Sequence, residues 1–259
     1  MHALHPVLAT RELTVRFGGH VAVDRVSCAF HAGTLTAIVG PNGAGKTTYF
    51  NLLSGQLRAT SGSVHLYGED ITRLAAPLRA RRGLGRAFQL TNLFPRLTVL
   101  ENVRLAVQSR AGLGLDMLHT WRHHIETIEH AEQVLDRVAL LERRDALSGT
   151  LSHGDQRKLE VAILIALEPK VFMFDEPTAG MSVDDVPVIL DLIRELKQRS
   201  DIAILLVEHK MDVVRELSDR IVVLHNGQLV ADGEPAAVIA SPVVQQAYLG
   251  IAAEEEEAA

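Results

Sequence analysis

Apolar residues recur along this chain with two different periods, and the change of period divides it. From Val7 to Phe30 they alternate with polar ones: Leu13, Val15 and Phe17, a Gly18-Gly19 break, then Val21, Val23 and Val26. A period of two marks strands with one buried face, so this stretch predicts an antiparallel β layer. Leu35 to Val39 is instead a short apolar run, as a strand covered on both faces requires. Ser63 to Tyr67 alternates again before Gly68, Leu78 to Arg82 reads as a short basic helical piece, and Leu84 to Phe88 as another strand. The period then lengthens. Thr98 to Gln108 carries Val99, Val103 and Ala106, and Ile125 to Leu141 carries Ile128, Val134, Leu135 and Val138, at helical spacing.

Between Gln89 and about Leu164 nothing reads as a strand. Val171 to Phe174 restores the α/β rhythm, followed by a helix from Val183 to Gln198, a strand from Ile202 to Val207, a helix from Met211 and a strand from Ile221 to Leu224. Asn226-Gly227 before Leu229 to Ala231 is a type I′ hairpin signal. The expectation is one α/β domain over about 5–250. Its core comprises about 5–89 and 165–250, with a helical subdomain inserted at about 90–164 and an acidic tail at 251–259. In a parallel sheet of this kind, ligands sit beyond the carboxyl ends of the strands. Gly40 to Thr48, Asp175 and His209 all fall there.

The segment Gly40-Pro41-Asn42-Gly43-Ala44-Gly45-Lys46-Thr47-Thr48 reads as a phosphate-binding loop between a strand and a helix. Gly40, Gly43 and Gly45 let backbone N–H groups converge on an anion, Lys46 supplies a charge, and Thr47 offers a hydroxyl to a phosphate-bound Mg²⁺. At ordinary glycine usage the pattern arises by chance in on the order of one chain in a hundred of this length, so a merely glycine-rich turn is the weaker reading. Asp175, delivered by an apolar strand, suits Mg²⁺ held directly or through water, and Glu176 suits an attacking water. His209 follows the strand Ile202 to Val207 and Glu208, in reach of a γ-phosphate. Leu151-Ser152-His153-Gly154-Asp155-Gln156 opens a helix with Leu159, Ala162, Ile163 and Ala166 on one face. Ser152 and Asp155 fit a capping pattern, and a capped start containing glycine is also an anion site.

Composition narrows the class. With 259 residues and 47% hydrophobic content the chain can bury a substantial core. The net charge of −6, with Glu254 to Glu257 at the end, disfavours a broad nucleic-acid surface. No apolar run approaches the roughly 18 residues a membrane helix needs, and Met1 to Pro6 does not read as a secretory signal. Those two features predict a cytoplasmic protein that borrows any membrane role from other chains. Cys28 reads as a small core residue. His119, His123, His124 and His130 invite a metal reading, but no Glu or Cys completes a ligand set, and solvated helix surface is the better reading.

Taken in order, these motifs resemble the ATP-binding subunit of an ABC transporter over nearly the whole chain. The resemblance implies a P-loop NTPase fold in which Phe17 stacks on adenine, Gly40 to Thr48 is Walker A, Gln89 the Q-loop, Leu151 to Asp155 the signature, Val171 to Asp175 Walker B, Glu176 the catalytic glutamate and His209 the switch histidine. Lys46, Gln89, Glu176 and His209 then form the catalytic set, and Thr47, Gln89 and Asp175 surround Mg²⁺. Gly40, Asn42, Gly43, Ala44, Gly45, Lys46, Thr47 and Thr48 hold ATP, joined across a head-to-tail dimer by Ser152 and Gly154 of a second ABC subunit, itself or a paralogue.

Leu90 to Arg96, with Phe94 and Pro95, would accept a helix of an integral membrane permease subunit, on the cytoplasmic face of the inner membrane. An extracytoplasmic solute-binding protein would be an indirect partner, and nucleic acid none. The chain departs from the usual LSGGQ at His153 and Asp155, which leaves Asp155 a structural role, and it carries Ser182 where the D-loop frequently has Asp. Arg86 to Gln89, Thr178 to Met181, Val207 to Met211, Ala231 to Glu234 and Tyr248 to Gly250 are similar to the importers of branched-chain amino acids. Related branches serve urea uptake or lipopolysaccharide export. A soluble ABC ATPase acting on DNA or ribosomes would carry a coiled-coil insertion or tandem domains, neither of which is present. A monomeric P-loop kinase would leave Leu151 to Asp155 without a purpose.

Overall fold

A computed structural model describes residues 6–87, 93–113 and 125–246. They divide into two compact units, one of residues 1–84, 170–175 and 197–259, the other of residues 85–169 and 176–196.

The first unit holds the smaller sheet and most of the larger one. β1 (Leu8–Phe17) and β2 (His20–Phe30) pair antiparallel around a turn in which Phe17 faces His20 and Gly18 has φ 59°. β3 (Thr34–Val39) leads to α1 (Lys46–Ser54). β4 (Ser61–Leu66) pairs with the other side of β1, and the short β5 (Glu69–Asp70) completes the antiparallel layer in the order β2-β1-β4-β5. The helical piece read at Leu78 to Arg82 is α2 (Ala76–Arg81), and β6 (Leu84–Arg86) follows. Asp175 ends β7 (Val171–Asp175).

Most of the second unit lies between β6 and β7. Thr98 caps α3 (Val99–Arg110) in a reciprocal capping box, its hydroxyl accepting from the Glu101 N–H while the Glu101 carboxylate accepts from the Thr98 N–H. α4 (Ile125–Arg137) and α5 (His153–Ala166) pack with α3. Among the described residues of this stretch no strand forms, only an isolated bridge between Thr98 and Leu147. The unit also takes in α6 (Val186–Lys197) up to Leu196. α6 starts three residues later than its apolar pattern suggests, because Ser182 accepts a hydrogen bond from the Asp185 N–H and its carbonyl one from Val186, which turns the chain first.

Back in the first unit, β8 (Ala203–Val207), α7 (Met211–Leu217), β9 (Arg220–His225), β10 (Gln228–Gly233) and α8 (Pro235–Ile239) complete the core. The large sheet runs β10-β9-β3-β8-β7-β6, with β9, β3, β8 and β7 parallel and β10 antiparallel at the edge. Asn226 and Gly227 take φ of 48° and 76°, the left-handed pair a type I′ hairpin demands.

The surroundings of β3 explain why Leu35 to Val39 is apolar but for Thr36. Ile38 joins the core formed with Leu8, Tyr49, Phe50 and Leu205, while Ala37 and Val39 face Val214, Ile221 and Val223 on the other side. Each large side chain so enclosed stabilises the fold by roughly 1.5–3 kcal/mol. Cys28 is buried as expected, and that burial pushes its thiol up to about 11, so it is an inert core residue.

Candidate functional site

The phosphate loop lies at the carboxyl edge of β3, and the register of the sheet sets its neighbours. Ile38 on β3 stands opposite Val207 on β8, and Val207 stands opposite Asp175 on β7. The loop beginning at Gly40, the Glu208-His209 segment and Asp175 therefore leave three adjacent strands at one level. Adjacent strands are about 4.8 Å apart, so groups delivered by these three strands leave the sheet within about 10 Å of one another.

The loop is shaped by backbone packing. Gly40 has φ 154°, and a Cβ there would overlap the Leu224 carbonyl oxygen. Gly45 has φ 97°, and its Cβ would lie 2.5 Å from the Ala22 carbonyl oxygen. Only glycine fits either position. The Ala44 carbonyl also accepts from the Gly227 N–H at 3.0 Å, which ties the loop to the β9–β10 hairpin.

Gly45 is the N-cap of α1 and supplies no side-chain cap, and no acidic residue stands in the first turn. The positive end of the helix, with Thr47 and Thr48 in its first turn, is thus left to an anion from outside. Lys46, only 7% exposed, folds back so that its ammonium donates to the Gly40 and Pro41 carbonyls at 2.6 and 2.9 Å. Asn42 and Gly43 are exposed at the tip.

At the other end of α1, Arg79 is 2% exposed and donates to the carbonyls of Leu52 and Leu53, both at 2.7 Å, and of Leu74 and Thr72. Burial lowers its pKa to about 10. A cation at the helix C-terminus satisfies carbonyls that the last turn leaves over and complements the dipole.

Asp175 is 1% exposed at the end of β7. The next residue, Glu176, has φ 49°, left-handed for a residue with a side chain. His209 is exposed just beyond β8, its N–H donating to the Glu208 carboxylate at 2.9 Å. Thr47 and Asp175 are hard oxygen donors, and among the described residues no cluster of three His, Cys, Asp or Glu side chains forms a metal cage. That sparse set fits Mg²⁺, which binds through one or two protein groups plus substrate phosphates. Gln89, expected as a further ligand, lies outside the described residues, as do His119, His123 and His124. His130 is described and lies 3.7 Å from Glu168.

Phe17 is a correction to its residue-level reading. Its place in the alternation assigns it to the packed face, yet it is 51% exposed. A register shift between Val15 and Arg16 breaks the alternation just before it and leaves the ring at the β1–β2 turn.

In the second unit, Ser152 is exposed at the start of α5 and its hydroxyl oxygen accepts from the Asp155 N–H at 3.2 Å. The Asp155 carboxylate is held by Arg143 at 2.9 Å and Lys158 at 3.5 Å. Lys158 also pairs with Asp185, whose carboxylate accepts from the Ser182 hydroxyl at 2.7 Å. A Cβ on Gly154 would stand 3.0 Å from that carboxylate. Leu159, Ala162 and Ala166, on the apolar face read for α5, are buried. The helix is buried on nearly all sides, Arg157, Lys158 and Glu160 included, while Ile163 is half-buried. These polar side chains are internally paired, which is what lets a helix bury them.

Residues 23–179 match the ABC transporter family. The chain belongs to that family. This ABC ATPase is 38% identical over 250 residues to the high-affinity branched-chain amino acid transport ATP-binding protein LivG of Escherichia coli (strain K12), covering 95% of this chain and 98% of that one. Its identity to the corresponding protein BraF of Pseudomonas aeruginosa is also 38%, with the same coverage. Among solved structures, a nucleotide-free ATP-binding cassette from an ABC transporter superposes with a TM-score of 0.79 at 30% identity, over 93% of this chain and 98% of that one.

Several residues of this ABC ATPase carry geometry that no sequence motif announces. Arg79 reads as one more cation in a basic helix, and Arg157, Lys158 and Glu160 belong to no motif. Spacing offers no signal here: at 100° per residue, positions 157, 158 and 160 fall within an arc that one exposed face of a helix can hold.

Proposed function

We propose that this ABC ATPase is the ATP-hydrolysing subunit of a membrane importer for branched-chain or related amino acids. The observation that carries the catalytic part is the shared carboxyl edge of β3, β8 and β7, where the glycine-shaped loop, Asp175 and His209 leave the sheet together. The amino-acid part rests on the likeness to LivG and BraF.

In this reading Lys46 leaves the Gly40 and Pro41 carbonyls for the β- and γ-phosphates of ATP, and the uncapped N-terminus of α1 receives the same phosphates. Thr47 and Asp175, with Gln89, would hold Mg²⁺, which would neutralise phosphate charge when bound. Glu176 orients and deprotonates the attacking water, His209 contacts the γ-phosphate, and Phe17 supports the base. Ser152 and the Gly154 amide reach the nucleotide of a partner subunit in a head-to-tail dimer, so the triphosphate is enclosed only when two subunits meet. Asp155, tied to Arg143 and Lys158, is kept off the phosphate by its own partners.

No described helix is long and apolar enough to cross a membrane, so the energy passes to separate permease subunits from the cytoplasmic face. The segment around Phe94, 57% exposed, supports docking of such a subunit. Its backbone is pinned from beneath by Asn102, which accepts from the Phe94 N–H at 2.9 Å, and by the Ser148 hydroxyl, which donates to the Phe94 carbonyl at 2.8 Å.

The test is uptake. Cells carrying Glu176→Gln should lose accumulation of labelled leucine, and the purified variant should bind ATP with wild-type affinity while kcat falls by ~10³-fold, the scale of a lost general base. Lost urea uptake or lipopolysaccharide export with intact leucine uptake would reassign the solute. Normal hydrolysis by the variant would remove Glu176 from the mechanism.

A further inference from the structure

We propose that Arg157, anchored by Glu160, is a positioning residue that holds Glu176 in the backbone conformation from which its carboxylate addresses the attacking water. The inference rests on the assignment of Glu176 as the hydrolytic base.

Three observations meet here, all within the second unit. Glu176 takes φ 49°, a strained region for a residue with a side chain, and one it keeps only when its surroundings impose it. Its carbonyl accepts from the Ala179 N–H at 3.1 Å, closing the turn, and from the Arg157 guanidinium at 3.1 Å. The other arm of that guanidinium donates to Glu160 at 2.8 Å, and the two side chains are 10% and 5% exposed.

Glu160 has its second carboxylate oxygen buried with no hydrogen-bond partner among the described residues, and burial raises its pKa against the pull of Arg157. A buried ion pair with one oxygen left over is a costly way to stabilise a helix, and apolar residues of similar size commonly do as well. The pair fixes the plane of the guanidinium. A planar fork held on one arm presents the other at a set angle, which a lysine cannot do.

Misplacing a reacting group by about 1 Å costs on the order of 10²-fold in rate. The pair is replaced as a unit, Arg157→Met with Glu160→Leu, so that no lone charge is left buried. The full chain should fold and bind ATP with affinity and KM within about twofold of wild type, while kcat falls by roughly 10²-fold.

Arg157→Lys keeps the charge on Glu160 but not the fork, and should lose roughly 10-fold in kcat without loss of thermal stability. In a Glu176→Gln background neither change should lower the residual rate further, since groups that act through one another are not additive. If Glu176→Gln abolishes turnover while Arg157→Lys and the paired variant keep wild-type kcat, the positioning role is overturned and the base assignment stands. If Glu176→Gln itself turns over normally, the base assignment fails first. Should the paired variant not fold, Arg157→Lys alone decides.

Discussion

The two helix starts proposed to meet nucleotide are built in opposite ways. α1 begins at a glycine with no side-chain cap, in a loop moulded by carbonyls of Ala22 and Leu224. α5 begins at a serine that caps its own helix, and its first turns are laced by Arg143, Asp155, Lys158 and Asp185. The first start is rigid in its backbone and open in its hydrogen bonding. The second is closed by its own side chains and offers little beyond an exposed serine and a glycine amide. An open helix N-terminus is the stronger anion site, so the first should set affinity, and the second should report whether a partner is present.

Three substitutions sharpen or break that contrast. Lys46→Ala removes a charge-assisted contact to phosphate and should weaken ATP binding by ~10²-fold. Fluorescent-nucleotide titration checks it, and unchanged affinity would leave α1 no more a phosphate site than α5.

Gly40→Ala should act on the fold itself. Overlap with the Leu224 carbonyl costs on the order of 1–3 kcal/mol, and thermal unfolding without nucleotide should show a lower midpoint. A midpoint at the wild-type value would mean that the loop is not braced by its surroundings.

Asp185→Asn has the smallest effect. Lys158, and then the Ser182 hydroxyl, hold the Asp185 carboxyl below its usual range. A folded-state pKa below the unfolded value of 3.8 gives stability that is present above that pH and lost as pH falls through the folded pKa. The difference between the urea midpoints of the variant and the wild type should therefore be full at pH 6 and shrink as pH falls below 3.8. A gap that does not change with pH across the acid range would assign the effect to packing.

Much of this was legible in the residues. The period-two stretch gave β1 and β2, the Asn226-Gly227 pair gave the hairpin, and the apolar runs gave β3, β7 and β8, because each pattern has one dominant physical cause. The strand–loop–helix at Gly40 to Thr48 and the place of Asp175 at the end of a strand were legible for the same reason, an apolar run ended by glycines or acids. Boundaries failed where a local hydrogen bond outvoted the apolar pattern, as at Ser182 before α6. Exposure failed at Phe17, where a bulge reversed the alternation. The ion-paired interior of α5 was hidden because a charge inside a helix looks the same in sequence whether it meets water or a buried partner. That the second unit gathers residues 176–196 as well as the insertion was equally out of reach, since it depends on contacts far apart in the chain.

The Gly227 N–H that reaches the Ala44 carbonyl, and the Leu224 oxygen that forbids a side chain at Gly40, belong to residues made some 180 positions after the loop they support. On a ribosome, the nucleotide cradle therefore stays unfinished until the final hairpin emerges. A nascent or truncated copy lacking that hairpin should therefore hold ATP more weakly than the finished chain.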